Sequence, residues 1–184
     1  MFSEGRLGIW LAIQRVGVEM DIKSLDADAL LSLRMEVESE MQSRGIKFSV
    51  GELGEQLAIK FFNSTPGLSN LIAAPKGAKN VDALSRNGDR YSIKTVQSGQ
   101  KTGTVYPDGQ EPNKQLFEYL LILRLSPQFS LEAIYEFSWK QFLVIRAWDK
   151  RMSAWYVPLS RTRLQVGKRL YPPQDQDKMP NAKK

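Results

Sequence analysis

The most constraining feature of the sequence is an Asn87-Gly88 pair between two short runs that favour β-strands, 81–85 and 90–96. Asn-Gly between such runs is typical of a tight turn, so the two runs are predicted to pair as an antiparallel hairpin. Side chains alternate across a strand, so Ser92 and Lys94 share one face of the second strand whichever turn forms. A sheet built around this hairpin is therefore the first requirement on the fold.

The length of the turn decides whether Asp82 lies near Lys94. A two-residue turn places Asp82 on the face of Ile93. A three-residue turn that ends in a left-handed Gly88 places Asp82 beside Ser92, with Lys94 next along the same face. Only the three-residue turn gathers an acid and an amine into one polar cluster, and we favour it because such a cluster is chemically sensible.

The rest of the chain alternates helical and extended patterns. Ser24 or Asp26 is predicted to cap a helix that ends near Ser43, and Ser49 to cap a second helix over 50–64. Further strands are predicted over 71–75, 119–126, 131–138 and 153–160, with a helix over 139–148. The predicted class is α/β, a central mixed sheet with an antiparallel meander, flanked by helices.

The predicted domain organisation is simple. We expect one domain over residues 24–171, preceded by an N-terminal extension over 1–23 in which Met20 is an alternative start. The polar, Pro-containing residues 172–184 are predicted to be a disordered tail.

Composition narrows the chemistry. The chain has 184 residues and contains neither cysteine nor histidine. Disulfides, thiolate nucleophiles and the Ser/His/Asp and Cys/His triads are therefore excluded, and a zinc site of the usual kind is disfavoured. An enzyme of this composition has to work with carboxylates, lysine and hydroxyl groups.

The chain is basic, with a formal net charge of +6 and an isoelectric point of about 9.5. Such a balance favours a polyanionic partner, nucleic acid before a membrane surface. The apolar run 7–18 is interrupted by Gln14 and Arg15 and is too short to span a bilayer. We therefore expect a cytoplasmic protein without a membrane partner.

The hairpin cluster suggests a metal site. Asp82 and a glutamate of the preceding helix, Glu55 or Glu52, could hold a hard divalent cation through oxygen ligands. The ammonium group of Lys94 could then orient or deprotonate a water molecule, or stabilise charge on a phosphate. The alternative is an exposed Asp82–Lys94 salt bridge with solvated helix glutamates, which has no chemical role.

This arrangement resembles the PD-(D/E)xK nuclease superfamily, whose members have the restriction-endonuclease-like fold. The resemblance rests on Asp82, on Ser92-Ile93-Lys94 in the next strand and on the preceding helix with its GELGE stretch, and it spans residues 49–146. It implies a DNA endonuclease that uses Mg²⁺ or Mn²⁺. Asp82 and Glu55 (or Glu52) would be metal ligands, and Lys94 would be the catalytic lysine.

Two positions depart from the motif of this superfamily. Val81 stands where the motif has proline, and Ser92 stands where a second acid is usual. An acid further along the chain could compensate for Ser92, and Asp108 and Glu111 are the candidates. Gln97, near the end of the same strand, could also join the site. If no acid does so, the alternative is a non-catalytic DNA-binding or regulatory protein on the same fold.

The resemblance also implies partners. A cut through both strands requires two active sites, so a homodimer is expected, and a restriction enzyme could act beside a methyltransferase for the same site. A third interpretation is an assembly protein whose aromatic C-terminal half forms an interface. The basic side chains predicted to contact DNA lie in three segments: Lys76, Lys79, Lys101, Arg161, Arg163, Lys168 and Arg169.

Overall fold

The fold is given by a computed structural model, which describes residues 21–45, 49–111 and 114–173. The chain divides into two compact units, residues 1–47 and 48–184. This division falls inside the single domain that the sequence predicts. Most of the predicted N-terminal extension, including the apolar run and Met20, and most of the predicted tail lie outside the described residues.

Among its described residues, 21–45, the first unit contains one α-helix, α1 (Ala27–Ser43), after a short 3₁₀ turn. Asp26 caps this helix, because its carboxylate accepts a hydrogen bond from the backbone N–H of Ala29 at 2.8 Å. The helix therefore begins after Asp26 and ends at the predicted position. None of its residues is buried.

The second unit is built on a mixed six-stranded sheet. It begins with helix α2 (Val50–Ser64), which Ser49 caps as predicted. The strands of the sheet are β1 (Leu71–Ala73), β2 (Ala83–Ser85), β3 (Arg90–Val96), β4 (Tyr119–Leu125), β5 (Leu131–Ser138) and β8 (Lys168–Tyr171). Their spatial order is β1-β2-β3-β4-β5-β8; β3 and β4 are parallel and the other neighbours are antiparallel.

Helices cover both faces of this sheet. On one face, Ala58 and Phe62 of α2 pack against Tyr91, Ile93 and Leu121. On the other face, helix α3 (Trp139–Ile145) contributes to a second cluster with the central strand β4. The α/β class with a mixed sheet, an antiparallel meander of β1, β2 and β3, and flanking helices is therefore confirmed.

The region after β5 differs from the prediction. The predicted helix 139–148 ends at Ile145, where the carbonyl accepts a hydrogen bond from the guanidinium of Arg163. The chain then forms a two-stranded hairpin, β6 (Ala147–Asp149) and β7 (Ala154–Tyr156), so the predicted strand 153–160 is shorter. In the described part of the chain, no helix has both the length and the apolar character needed to cross a membrane.

Candidate active site

The β2–β3 turn has three residues. Ala83 pairs with Tyr91, and the N–H of Ser85 donates to the carbonyl of Asp89 at 2.9 Å. Gly88 closes the turn with φ of 87°, a left-handed conformation that glycine adopts without steric cost. The three-residue turn that the sequence favours is therefore confirmed, and with it the register that sets Asp82 beside Ser92.

Asp82 is the centre of the polar cluster on this hairpin. Asp82 lies just before strand β2, which begins at Ala83. The N–H of Ile93 donates its hydrogen bond to the side chain of Asp82, at 2.6 Å from Oδ2, and not to a backbone carbonyl of β2. The fully buried Ser92 hydroxyl lies 3.3 Å from the same oxygen. Within the described residues, Oδ1 accepts no hydrogen bond. The carboxylate is thus fixed through one oxygen while the other is left for a ligand.

Lys94 lies beside this carboxylate. Its ammonium nitrogen is 4.0 Å from Asp82 Oδ2, a distance at which charges attract but which is too long for a hydrogen bond. The two side chains are 19% and 22% exposed, so the pair is neither a surface salt bridge nor closed to solvent. The N–H groups of Lys94 therefore remain free to bind water or a phosphate oxygen.

Glu55 of α2 approaches the same pair. Its pKa is raised above the usual range, first by partial burial and then by the negative charge of Asp82. The positive charge of Lys94 acts in the opposite direction, and Glu52 adds a smaller repulsion. The charges of Asp82 and Lys94 therefore act on Glu55, which makes Glu55 the candidate helix acid of this site.

Gly54 allows α2 to come this close to the sheet. A Cβ atom at Gly54 would lie 1.7 Å from Oγ1 of Thr95 and 2.6 Å from its Cβ, so only glycine fits. Thr95 follows Lys94 in β3, and Gly54 precedes Glu55 in α2. The close contact between Gly54 and Thr95 therefore sets the position of Glu55. In the sequence, the two glycines of the GELGE stretch are the only signal of this contact.

The other helix acid has a different role. The Glu52 carboxylate accepts a hydrogen bond from the Ser49 hydroxyl at 3.1 Å, and its backbone N–H donates back to that hydroxyl. Glu52 thus belongs to the N-terminal cap of α2. Of the two alternatives that the sequence leaves open, the geometry favours Glu55 as the helix acid of the site.

The acids and the amide predicted further along the chain have partners of their own. Asp108 accepts from the backbone N–H groups of Gln110 and Glu111 and faces Lys114, so it organises its loop. The side-chain amide of Gln97 donates to two carbonyls of the β4–β5 turn. No group of three or more acids that could hold a metal ion occurs among the described residues. The structure therefore shows no third carboxylate, from Asp108 or Glu111, beside Asp82 and Glu55.

The basic residues predicted to contact DNA fall into two classes. Lys76, Lys79 and Arg161 are exposed. Lys101 is exposed as well, but its ammonium lies 3.5 Å from a carboxylate oxygen of Asp149 and over a tyrosine ring. The first three side chains are better able to bind phosphate, because their charges are not engaged by the fold.

The basic segment 161–169 is not one continuous strand or edge. Arg161 and Arg163 belong to a short helix, α4 (Arg161–Leu164), whereas Lys168 and Arg169 lie on β8. Arg163 supports the end of α3, and the guanidinium of Arg169 donates to the carbonyl of Tyr171. These side chains therefore contribute to structure, and the segment does not form a single basic row.

No protein-family model matches the sequence, and no curated protein is significantly similar to it. Support for a function therefore comes from the site itself.

Proposed function

We propose that this chain is a Mg²⁺-dependent DNA endonuclease of restriction type on a restriction-endonuclease-like fold. The observation that carries the proposal is the arrangement around Asp82. One oxygen of its carboxylate is fixed by Ile93 and Ser92, the other is free, and Lys94 lies 4.0 Å away. A helix acid, Glu55, is electrostatically coupled to both charges. An ion pair with a purely structural role would not require a free carboxylate oxygen on Asp82 or a helix acid coupled to both of its charges.

The residues present suit Mg²⁺ or Mn²⁺ at this place. Mg²⁺ keeps several water ligands and is commonly bound by one or two carboxylates together with substrate phosphates. Asp82 and Glu55 supply two carboxylates. The pKa of Glu55 is raised first by burial and then by the negative charge of Asp82, and a cation would neutralise this pair of charges. When bound, the cation supplies charge neutralisation at the phosphate and a more acidic water.

The protein groups then have separate tasks. Asp82 and Glu55 hold the ion, and Ser92 fixes the orientation of the Asp82 carboxylate from a fully buried position. Lys94 orients the attacking water or stabilises negative charge on the scissile phosphate, since its N–H groups are not bonded to Asp82. The basic net charge of the chain favours approach of DNA.

The test is cleavage of supercoiled plasmid by purified protein in Mg²⁺ or Mn²⁺, with EDTA as the metal-free control. Asp82→Asn and Lys94→Ala should each lower the rate about 100-fold or more, the scale of a lost acid–base or ligand group. Lys60→Ala removes an exposed lysine of α2 outside the site and should leave the rate unchanged. Equal rates in all four proteins would reject the assigned site.

A non-catalytic DNA-binding protein is the second candidate, and Ser92 favours it. The buried hydroxyl replaces an acid, and the described residues offer no group of three acids. This function predicts salt-dependent DNA binding that persists in EDTA, without cleavage in either metal.

Cutting both strands requires two sites, so we also propose a homodimer. Light scattering of the purified protein, alone and with DNA, measures its oligomeric state. A protein that cuts both strands of a duplex while it stays a monomer would contradict the proposal.

A further inference from the structure

A cavity of about 550 Å³ in the second unit is lined in part by the residues that precede Asp82 in the chain. Val81, the residue before Asp82, is part of its wall, and the wall continues through Tyr106, Lys114 and Arg90. A volume of this size is in the range of small-molecule sites and has room for one nucleotide. The role proposed above for Asp82 and Lys94 does not use this cavity.

An exposed aromatic ring is the main feature of the cavity wall. Tyr106 is 48% exposed. Its carbonyl accepts a hydrogen bond from the side-chain amide of Asn80 at 2.9 Å. Asn80 itself has φ of 59°, a left-handed conformation that is uncommon outside glycine. Asn80, two positions before Asp82, thus fixes the backbone of the residue that carries the exposed ring.

The charged groups of the cavity wall are Lys79, Lys114, Arg90 and Asp108. Arg90 is ion-paired with Glu118 at 2.8 Å, so Lys79 and the Lys114–Asp108 pair are the charges that face a ligand. The pKa of Asp108 is lowered, first by backbone N–H donors of its own loop, so this carboxylate stays ionised and lies 3.7 Å from the ammonium of Lys114. Lys79 is exposed. An exposed aromatic ring and lysine side chains in the wall of one cavity suit a base with its phosphate rather than an apolar ligand.

We propose that this cavity binds one nucleotide of a DNA strand, with the base against the Tyr106 ring and the adjacent phosphate between Lys79 and Lys114. The inference rests on the proposed function, since it places the strand next to the reacting phosphate at Asp82. It adds a nucleotide-binding cavity to the exposed basic residues that are predicted to contact DNA. It also accounts for the exposure of Tyr106 and the conformation of Asn80.

The experiment measures fluorescence anisotropy of a short labelled DNA oligonucleotide in EDTA, where no cleavage occurs. Tyr106→Ala should weaken binding about 10-fold, the scale of one lost base–aromatic stack, and Tyr106→Phe should bind like the wild type. Lys114→Ala should weaken binding and reduce its salt dependence. Tyr171→Ala removes a ring of β8 that is 36% exposed outside the cavity and should have no effect.

Three results would overturn the inference. The first is equal binding by wild type and Tyr106→Ala, and the second is equal weakening by Tyr106→Ala and Tyr171→Ala. The third is competition by deoxyadenosine monophosphate that is as effective as competition by an oligonucleotide of equal nucleotide concentration, which would identify a free-nucleotide site. Because the assay contains EDTA, its outcome is independent of whether the protein cleaves DNA.

Discussion

The contact between Gly54 and Thr95 gives the sharpest test of how the site is assembled. A methyl group at Gly54 would meet three atoms of Thr95, at 1.7, 2.6 and 2.7 Å. Ordinary carbon contacts lie near 3.5–4.0 Å, so Gly54→Ala requires α2 to move away from β3 by roughly 1–2 Å. Glu55, the next residue, would move with it.

The energetic cost follows from two opposing effects. Overpacking of this kind typically costs about 1–3 kcal/mol. Alanine inside a helix is favoured over glycine by about 1 kcal/mol. Thr95 is β-branched and lies in β3, so it has little freedom to yield, and we expect a net loss of about 1–2 kcal/mol.

Gly51→Ala provides the matched control on the same helix. A Cβ atom there would meet only the Ser49 hydroxyl, at 3.8 Å, which is an ordinary contact. This variant should therefore gain about 0.5–1 kcal/mol from helix propensity. The two alanine variants should differ by about 1.5–3 kcal/mol, or about 1 M in the urea midpoint for an m-value of about 2 kcal/mol/M.

The assays are urea unfolding and plasmid cleavage at increasing Mg²⁺ concentration. Gly54→Ala should unfold at lower urea and need more Mg²⁺ for the same rate, because Glu55 is displaced from Asp82. Adding Thr95→Gly, which removes all three close atoms, should restore part of the Mg²⁺ response. Equal urea midpoints for Gly54→Ala and Gly51→Ala would show that the close approach of α2 does not exist.

Three further predictions concern the charged groups. Asp82→Ala should lower the free energy of unfolding by about 1–3 kcal/mol in urea, because Ile93 N–H loses its acceptor; an unchanged midpoint would contradict this. The folded-state pKa of Glu55 is raised, so ionising it costs stability as pH rises through its unfolded and folded pKa values. Glu55→Gln should therefore melt above the wild type near neutral pH and no differently in acid, as calorimetry across pH can show. The pKa of Glu118 is lowered, chiefly by its hydrogen bond from Arg90, so its stabilisation is present above the unfolded pKa and is lost as pH falls through the folded value. Glu118→Gln should remove that part of the acid sensitivity from the same melting curves.

The hairpin shows what the sequence could predict. Asn87-Gly88 fixed the position of the turn, and period-2 alternation fixed the shared face of Ser92 and Lys94. The choice of a three-residue turn came from the chemistry of the cluster, and the left-handed Gly88 confirms it. Local rules were sufficient here because the interacting residues are near in sequence.

The C-terminal region shows where such rules stop. Helix α3 ends at Ile145, where the carbonyl accepts a hydrogen bond from Arg163, 18 residues away, and the chain turns into the β6–β7 hairpin; no periodicity reveals either feature. The fit of α2 onto β3 likewise depends on Thr95, a residue far from Gly54 in the chain. Asp108 is predicted as an acid that could compensate for Ser92, whereas the structure shows its own loop using that carboxylate.

The two edges of the sheet limit how copies of this chain can associate. β1 has only three residues, and β8 has four, of which Lys168 and Arg169 are cationic. Short and charged borders disfavour strand addition from another molecule. Homodimers that join through a continuous intermolecular sheet are therefore disfavoured, and a two-site nuclease would have to associate through side chains, such as the exposed Val144 and Trp148.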